Sequence, residues 1–392
     1  MLAKNLDKFH LLLDLAAGSC GKGAISPRLA EIHGFRNVSC HNLPNAGHTV
    51  RIEGKKFVSK AIPTPCFLKS FGTDMTGFVS PGSGFAPEQI LKEWFQCGKP
   101  DLIIHDRASL VLPRHAALER EGSLSTKHLA STMQGSGAAV MEKMMRLPDV
   151  VLARKLPEEL ERLVGDGKVN QKEAEEFLDK VTIADGDFFR ELVFAALEQG
   201  GILHEGSQGF ALSLNHGLEY PYVTSRDCDT AQAMSYMGVP PQEVGEVWGV
   251  IRAGHMIRVG NVVEDGVQKG FSGGGYRDQE EMTWKELGVR AGMDDEQAEN
   301  LLKTELTTVT GRLRRVFSES IHGISQAVRT CGVTQMVVNF VDYINVEDYG
   351  KTKVGDLTRK TRAYLDQVQE NYGIPVRMVG TGPEHHQYIL VD

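Results

Sequence analysis

The stretch LLLDLAAGSCGKGAIS (Leu11–Ser26) runs from an apolar segment into a glycine turn that carries one lysine. A short apolar run bounded by glycine reads as a buried strand. A helix starting near Gly23 would aim its positive end back at the turn. Gly18, Gly21 and Gly23 let backbone N–H groups approach an anion, and Lys22 adds a charge. The spacing is not the GxxxxGK of the common phosphate loop. Ser19 and Cys20 follow Gly18, and neither is an acid. From this hexamer alone, a phosphate cradle and a plain strand-to-helix turn with a solvated lysine are equally good readings.

Working outward, the chain has 392 residues, 41% apolar and 24% charged, which is ordinary for a soluble globular protein. Its 43 basic and 51 acidic residues leave a net charge of −8. That balance argues against a general nucleic-acid or membrane binder, whose partners demand a basic surface. A small anionic ligand needs only a few local cations and stays allowed. The six cysteines are scattered without a CxxC pair, which suggests free thiols in a reducing compartment. The apolar run near the N-terminus is too short for a signal peptide and is broken by Asp14. No segment approaches the roughly 20 apolar residues of a membrane helix. A cytoplasmic protein is expected.

FHLLLDLA, DLIIHD, VVLAR, EVWGVIRA and MVVNFVDYI read as buried strands, and PEQILKEWFQCG and SESIHGISQAVRTCG as helices. Alternation of the two predicts an α/β fold with a mainly parallel central sheet and helices on both faces. One large domain over residues 1–392 is expected. Residues 156–200 form a helical insertion within it, a hairpin turning at GDGK. Residues 260–278, rich in glycine, read as a long flexible active-site loop.

Other segments carry hydroxyls, amides and cations in loops. LPNAGHT (Leu43–Thr49) offers Asn45, Gly47 and His48, the last a candidate general acid. In ASTMQGSGAAVMEKMMR (Ala130–Arg146), Ser131 and Thr132 precede a helix that ends in Arg146. They suit a phosphate at the helix start, or simple capping. EGSQGF carries a glycine-flanked Gln208, a reader of a base edge or carbonyl or else a turn residue, with Thr224 further on. ELTTVTGRLRRVFSES (Glu305–Ser320) concentrates Arg312, Arg314 and Arg315 after Thr308, Val309 and Thr310. Guanidinium forks there match carboxylates or phosphates. VVNFVDYI reads as a strand ending in Asn339 and Asp342, an acid able to pair with a guanine's two donors or merely to cap.

In this order, from about Leu11 to Asp342, the segments resemble the adenylosuccinate synthetase family, whose motifs are GDEGKG, NNAGHT, TTGRGIGP, EGAQG, YPYVTSS, TTGRRRR and TKLD. Three departures stand out: Ser19 for the acid of GDEGKG, Gln134 for the arginine of TTGRG, and Phe340 for the lysine of TKLD. They are similar to a viral branch that acts on dGMP in phages whose DNA contains 2-aminoadenine. The resemblance implies a ligase with a P-loop-like phosphate site. It would join L-aspartate to the 6-position of dGMP with ATP or dATP and Mg²⁺, in the host cytoplasm.

By the same resemblance, Ser19, Lys22, His48 and Gln208 are catalytic. Gly18, Gly21, Lys22, Gly23, Gly47, His48, Asn339 and Asp342 bind the triphosphate. Ser19, Asn45, Ser131, Thr132, Arg146, Gln208 and Thr224 bind the purine monophosphate. Thr308, Val309, Thr310, Arg312 and Arg314 bind aspartate. Ser19 and the Gly47 carbonyl are implied metal ligands. Arg146 is implied to cross over from the second subunit of a homodimer. The alternatives are an ordinary adenylosuccinate synthetase using IMP and GTP, and an inactive nucleotide-binding homologue.

Overall fold

A computed structural model of the chain describes residues 6–121 and 126–391. Its centre is a ten-stranded sheet. In chain order the strands are β1 Phe9–Asp14, β2 Asn37–Cys40, β3 Thr76–Val79, β4 Asp101–His105, β5 Thr182–Ala184, β6 Ile202–Gly209, β7 Val244–Arg252, β8 Gln335–Asn339, β9 Val376–Gly380 and β10 Tyr388–Leu390. Across the sheet they run β10-β9-β8-β7-β1-β6-β2-β3-β4-β5. Only the β9–β10 pair is antiparallel.

β1 lies between β6 and β7, and all six of its residues are buried. A parallel strand covered on both faces needs a continuous apolar run, and FHLLL supplies it. Leu12 points to one core, with Ile25, Leu29 and Trp94. Leu11 and Leu13 point to the other, with Phe189, Val193 and Ile324. Helices therefore cover both faces, as the alternation of strand and helix signals predicts.

Three local expectations change. VVLAR is not a strand of the sheet: Leu152 makes an isolated bridge to Ser109, and the chain turns at once into a 3₁₀ turn, Ala153–Lys155. Its backbone bonds go to the segment just after β4, with Ala153 N donating to Ala108 O at 2.8 Å. Residues 156–200 contain the helices Leu156–Gly165 and Gln171–Lys180, but also β5, which edges the main sheet. Residues 260–278 hold a small hairpin, Val262–Glu264 with Val267–Gly270. Its Asp265-Gly266 turn has positive φ at both residues, 49° and 75°, the signature of a tight primed turn. No helix among the described residues is long and apolar enough to cross a membrane. All six cysteines are buried and unbridged.

The carboxyl ends of the four adjacent strands β8, β7, β1 and β6 come together. In open parallel sheets that edge is where ligands bind. It delivers Asp14, Gln208, Arg252 and Asn339 to one region.

Candidate active site

The lysine loop is built around an acid that the sequence shows only as a break in an apolar run. Asp14, the last residue of β1, is almost wholly buried. Its Oδ1 accepts from Ala16 N at 2.9 Å and Gly18 N at 3.4 Å. Its Oδ2 accepts from Cys20 N at 3.1 Å and from Lys22 Nζ at 3.3 Å. Lys22 Nζ also donates to Gln208 O at 2.7 Å. One carboxylate thus satisfies the turn's donors and holds the lysine across to β6.

The glycines of the loop have steric reasons. Gly21 has φ 90°, and a Cβ there would sit 2.1 Å from Asn339 Nδ2. A Cβ on Gly23 would sit 2.9 Å from Thr49 O and 3.0 Å from His48 Cβ. Helix α1 (Lys22–His33) can therefore press its first turn against the His48 segment. Ser19 is exposed, with left-handed φ 57°, and its carbonyl accepts from Arg252 Nε at 3.1 Å. The Cys20 thiol is buried, and burial together with the Asp14 charge pushes its pKa far up, which makes it inert.

His48 opens the strand His48–Ile52 and bonds through Nδ1 to Glu205 of β6. The second Glu205 oxygen accepts from Thr64 N at 2.9 Å and Thr64 Oγ1 at 2.6 Å. Burial opposes ionisation of this carboxyl. The His48 charge and the bonds from His48 and Thr64 nevertheless hold it below the usual range. An ionised Glu205 keeps the proton on Nδ1 and leaves Nε2 as the chemically available nitrogen. Behind it, His41 and His204 stack at 4.9 Å, and burial drives both pKa values down, that of His204 to about 3.

These elements wall a cavity of about 1010 Å³. Gly18, Ser19, Gly21, Lys22, Gly23, Asn45, Gly47 and His48 line it, with Ser131, Thr132, Gln208 and Thr224. Thr308, Val309, Thr310, Arg314 and Asp342 line it too. Gly47 and Thr308 are in touch: a Cβ on the glycine would lie 3.1 Å from Thr308 Cγ2. Residues from widely separated parts of the sequence thus line one space. Asn45 Oδ1, Thr132 Oγ1, Arg314 Nε and Asp342 Oδ1, on residues that line it, are buried without a hydrogen-bond partner among the described residues. Buried polar atoms are rarely left so unless a ligand meets them.

Arg146, Arg312 and Asn339 are not in the cavity wall. Arg146 is exposed, just past helix α2 (Ser136–Met144), beside the exposed Met144 and Met145. The Arg312 guanidinium donates to Ala130 O at 2.8 Å and Ser131 O at 3.1 Å, tying the threonine loop to the Ser131 loop. Asn339 donates to Cys20 O at 2.9 Å and clamps the lysine loop from behind. The start of α2 does not offer its N–H groups to a phosphate. Glu119 already fills it, accepting from Gly135 N and Gly137 N at 2.7 Å each and from Ala138 N at 3.1 Å.

At the other end of the cavity Glu305 is a buried hub. It accepts from Arg252, from Arg314 at 3.1 Å and from the Tyr343 hydroxyl at 2.6 Å. Burial opposes its charge, but the two guanidiniums and the hydroxyl hold its pKa at about 2. Asp14, Glu119, Glu205, Arg252 and Glu305 thus organise the site, and none of them was singled out from the sequence. Glu205 opens the EGSQG segment and Arg252 ends an apolar strand. A charge set within or at the end of a buried strand was the signal available for both.

Comparisons with known proteins identify the family. A family profile for adenylosuccinate synthetase matches residues 15–349. The N6-succino-2-amino-2'-deoxyadenylate synthase of Vibrio phage phiVC8 is 35% identical over 352 residues, 87% of each chain. The adenylosuccinate synthetase of Methanococcus aeolicus is 30% identical over 349 residues, 88% of each. Among solved structures, the cyanophage S-2L succinoaminodeoxyadenylate synthetase bound to dGMP and dATP superposes with a TM-score of 0.75. It is 26% identical, with 98% of this chain and 95% of that one covered. With the profile spanning most of its length, this chain belongs to the adenylosuccinate synthetase family.

Proposed function

We propose that the protein joins L-aspartate to the 6-position of dGMP, with ATP or dATP hydrolysed, giving 2-amino-N6-succinyl-dAMP, a nucleoside diphosphate and phosphate. One observation carries this: Asn45, Thr132, Arg314 and Asp342, each with a buried polar atom that has no partner among the described residues, line a single cavity with Lys22 and His48. That is the arrangement needed to hold a nucleotide, an amino acid and a phosphoryl donor side by side.

In the first stage the γ-phosphoryl passes to the purine O6 while the N1 proton leaves. The bond to the diphosphate breaks and the O6–P bond forms. In the second stage the aspartate amine attacks C6, and phosphate departs with O6. Both stages gather negative charge on oxygen, which fixed cations and N–H donors stabilise. Lys22, held against Asp14, lies where it would meet the transferring group, and the turn that carries it is the triphosphate cradle with Gly47. His48 Nε2 donates to the departing phosphate oxygen. Gln208 orients O6. Asn45, Ser131, Thr132 and Thr224 hold the monophosphate. Thr308, Val309, Thr310 and Arg314 receive aspartate. Arg312 acts on that pocket by fixing its loop, and Asn339 by fixing the lysine loop.

The Ser19 hydroxyl and the Gly47 carbonyl are neutral oxygens. They fit a hard cation that takes its other ligands from phosphate and water. Mg²⁺ bound so would neutralise charge on the triphosphate. A homodimer accounts for Arg146. Its exposure beside Met144 and Met145, both more than 60% exposed, suits a surface that meets a second copy and reaches that copy's monophosphate.

Ser19 supports dGMP over IMP. A serine is a poor base but a small neighbour, leaving room beside N1 for a 2-amino group, and the N1 proton then passes to a triphosphate oxygen. The named phage relatives that match this chain point the same way. Ser19→Asp should lower turnover of dGMP and raise that of IMP, shifting their kcat/KM ratio by about tenfold or more, one well-placed contact. Unchanged dGMP turnover with no gain on IMP would refute this role. Glu205→Gln keeps the shape but removes the charge that sets the His48 tautomer. Its kcat should fall by about 10²–10³, with KM for aspartate little changed, since general acid–base groups contribute on that scale.

A further inference from the structure

Beyond β8, Phe340 turns the chain with φ 62°, and the short turn Val341–Tyr343 carries Asp342 to the cavity. The Phe340 ring packs against the Arg252 guanidinium, 3.9 Å from its centroid. Phe340 itself lines the cavity. An aromatic ring there offers any base a stacking surface but reads none of its edges. Asp342 is the acid beside it, and its Oδ1 is enclosed without a partner.

The charges around Asp342 do not favour a carboxylate. Burial raises its pKa most, and the anionic Glu305 and Asp348 add to that, while a bond from its own backbone N–H works the other way. Arg252 opposes them, but its guanidinium is already paired with both Glu305 oxygens at 3.3–3.4 Å. Asp348 is tied up by Thr358, Thr361 and Lys351. The Tyr343 hydroxyl donates to Glu305, and that of Tyr388 meets Asn339 at 3.4 Å. No cation pairs with Asp342 among the salt bridges of the described residues.

We infer that Asp342 meets the base of the triphosphate as a neutral carboxylic acid and thereby selects adenine over guanine. This rests on the reading that the triphosphate's base lies at the Phe340 end of the cavity. A neutral acid presents one O–H donor and one C=O acceptor. Adenine presents the matching pair along one edge, the N1 acceptor and the N6 amine donor. Guanine presents two donors there, N1–H and the 2-amino group, which suit an ionised carboxylate with two acceptors. Rotation about the broad terminal torsion of aspartate turns both oxygens to one edge. The same acid would thus serve opposite bases in its two protonation states. Burial, with the neighbouring acids, pushes its pKa up from 3.8 to about 7. The neutral form then predominates below that value and drains away above it.

The test compares ATP and GTP as donors at matched concentrations, with dGMP and aspartate saturating, from about two pH units below that value to about one above it. Both donors carry the same phosphates, so their kcat/KM ratio cancels every titration they share. The ATP-to-GTP ratio should fall continuously as pH rises through about 7, by up to tenfold per unit, because the neutral form that takes ATP drains away while the carboxylate that takes GTP accumulates. Asp342→Asn, whose amide turns a donor and an acceptor to the base at all pH, should favour ATP with a ratio independent of pH. A wild-type ratio independent of pH overturns the inference, as does Asp342→Asn favouring GTP. If Asp342→Asn leaves KM for both donors and their ratio at every pH as in the wild type, the base is elsewhere and the site reading itself fails. That result is distinct from a changed KM without pH dependence, which sinks only the neutral-acid inference.

Discussion

Lys22→Ala is expected to lower kcat by about 10³, because removing one preorganised donor to a developing oxyanion typically costs 10²–10³ and here a full charge goes with it. The fold should survive. Lys22 is buried, yet Asp14 keeps its three backbone N–H partners when the ammonium is gone. Loss of the one remaining bond to the carboxylate costs about 1–3 kcal/mol. Binding should weaken less than turnover, since the loop's glycine N–H groups remain. The check is steady-state kinetics on a variant whose circular dichroism matches the wild type. A kcat within tenfold of wild type would remove Lys22 from the phosphoryl-transfer step.

The converse change has its largest effect on stability. Asp14→Ala leaves the Lys22 ammonium buried with only the Gln208 carbonyl at 2.7 Å, and strips three N–H groups of their acceptor. Breaking a buried pair from one side costs about 3–5 kcal/mol, most of it the uncompensated charge. Turnover should also collapse, since the turn that presents Lys22 loses its staple. The double variant Asp14→Ala, Lys22→Ala should then be more stable than Asp14→Ala alone, because it has no stranded charge. Denaturant unfolding of the four proteins gives the coupling, expected at about 0.5–3 kcal/mol. Simple additivity would mean that Asp14 does not hold the lysine in solution.

The two variants also mark where the sequence was legible and where it was not. Short-range chemistry could be read directly. The glycines and lysine of GSCGKG, the loop histidine and the threonine–arginine segment each sit within a few residues, and the structure brings them to one cavity. The alternation of strand and helix was readable because β1 and β8 are continuous apolar runs. VVLAR looked the same by composition. It failed as a strand because the segment after β4 takes its backbone bonds, a partner that no local pattern reveals. β2 and β3, four residues each, were too short to stand out.

The organising charges were hidden for a related reason. Asp14 reads as a flaw in a strand until Lys22 folds back on it. Glu205 meets His48 from 157 residues away, and Arg252 meets Glu305 from 53. Glu119 looks like one more acid on a charged helix, but it caps the very helix start that seemed free for phosphate. A carboxylate's role depends on which cation or N–H cluster it finds, and that is tertiary information.

The proposed reaction aminates a purine that already carries a 2-amino group. The most direct measurement is phosphate release with L-aspartate and ATP, offering dGMP, GMP and IMP separately at equal concentration. Release is expected with dGMP, one phosphate for each succinylated product, and much slower release with IMP. Rapid turnover of IMP with dGMP inert would contradict it and return the chain to ordinary adenylosuccinate synthesis.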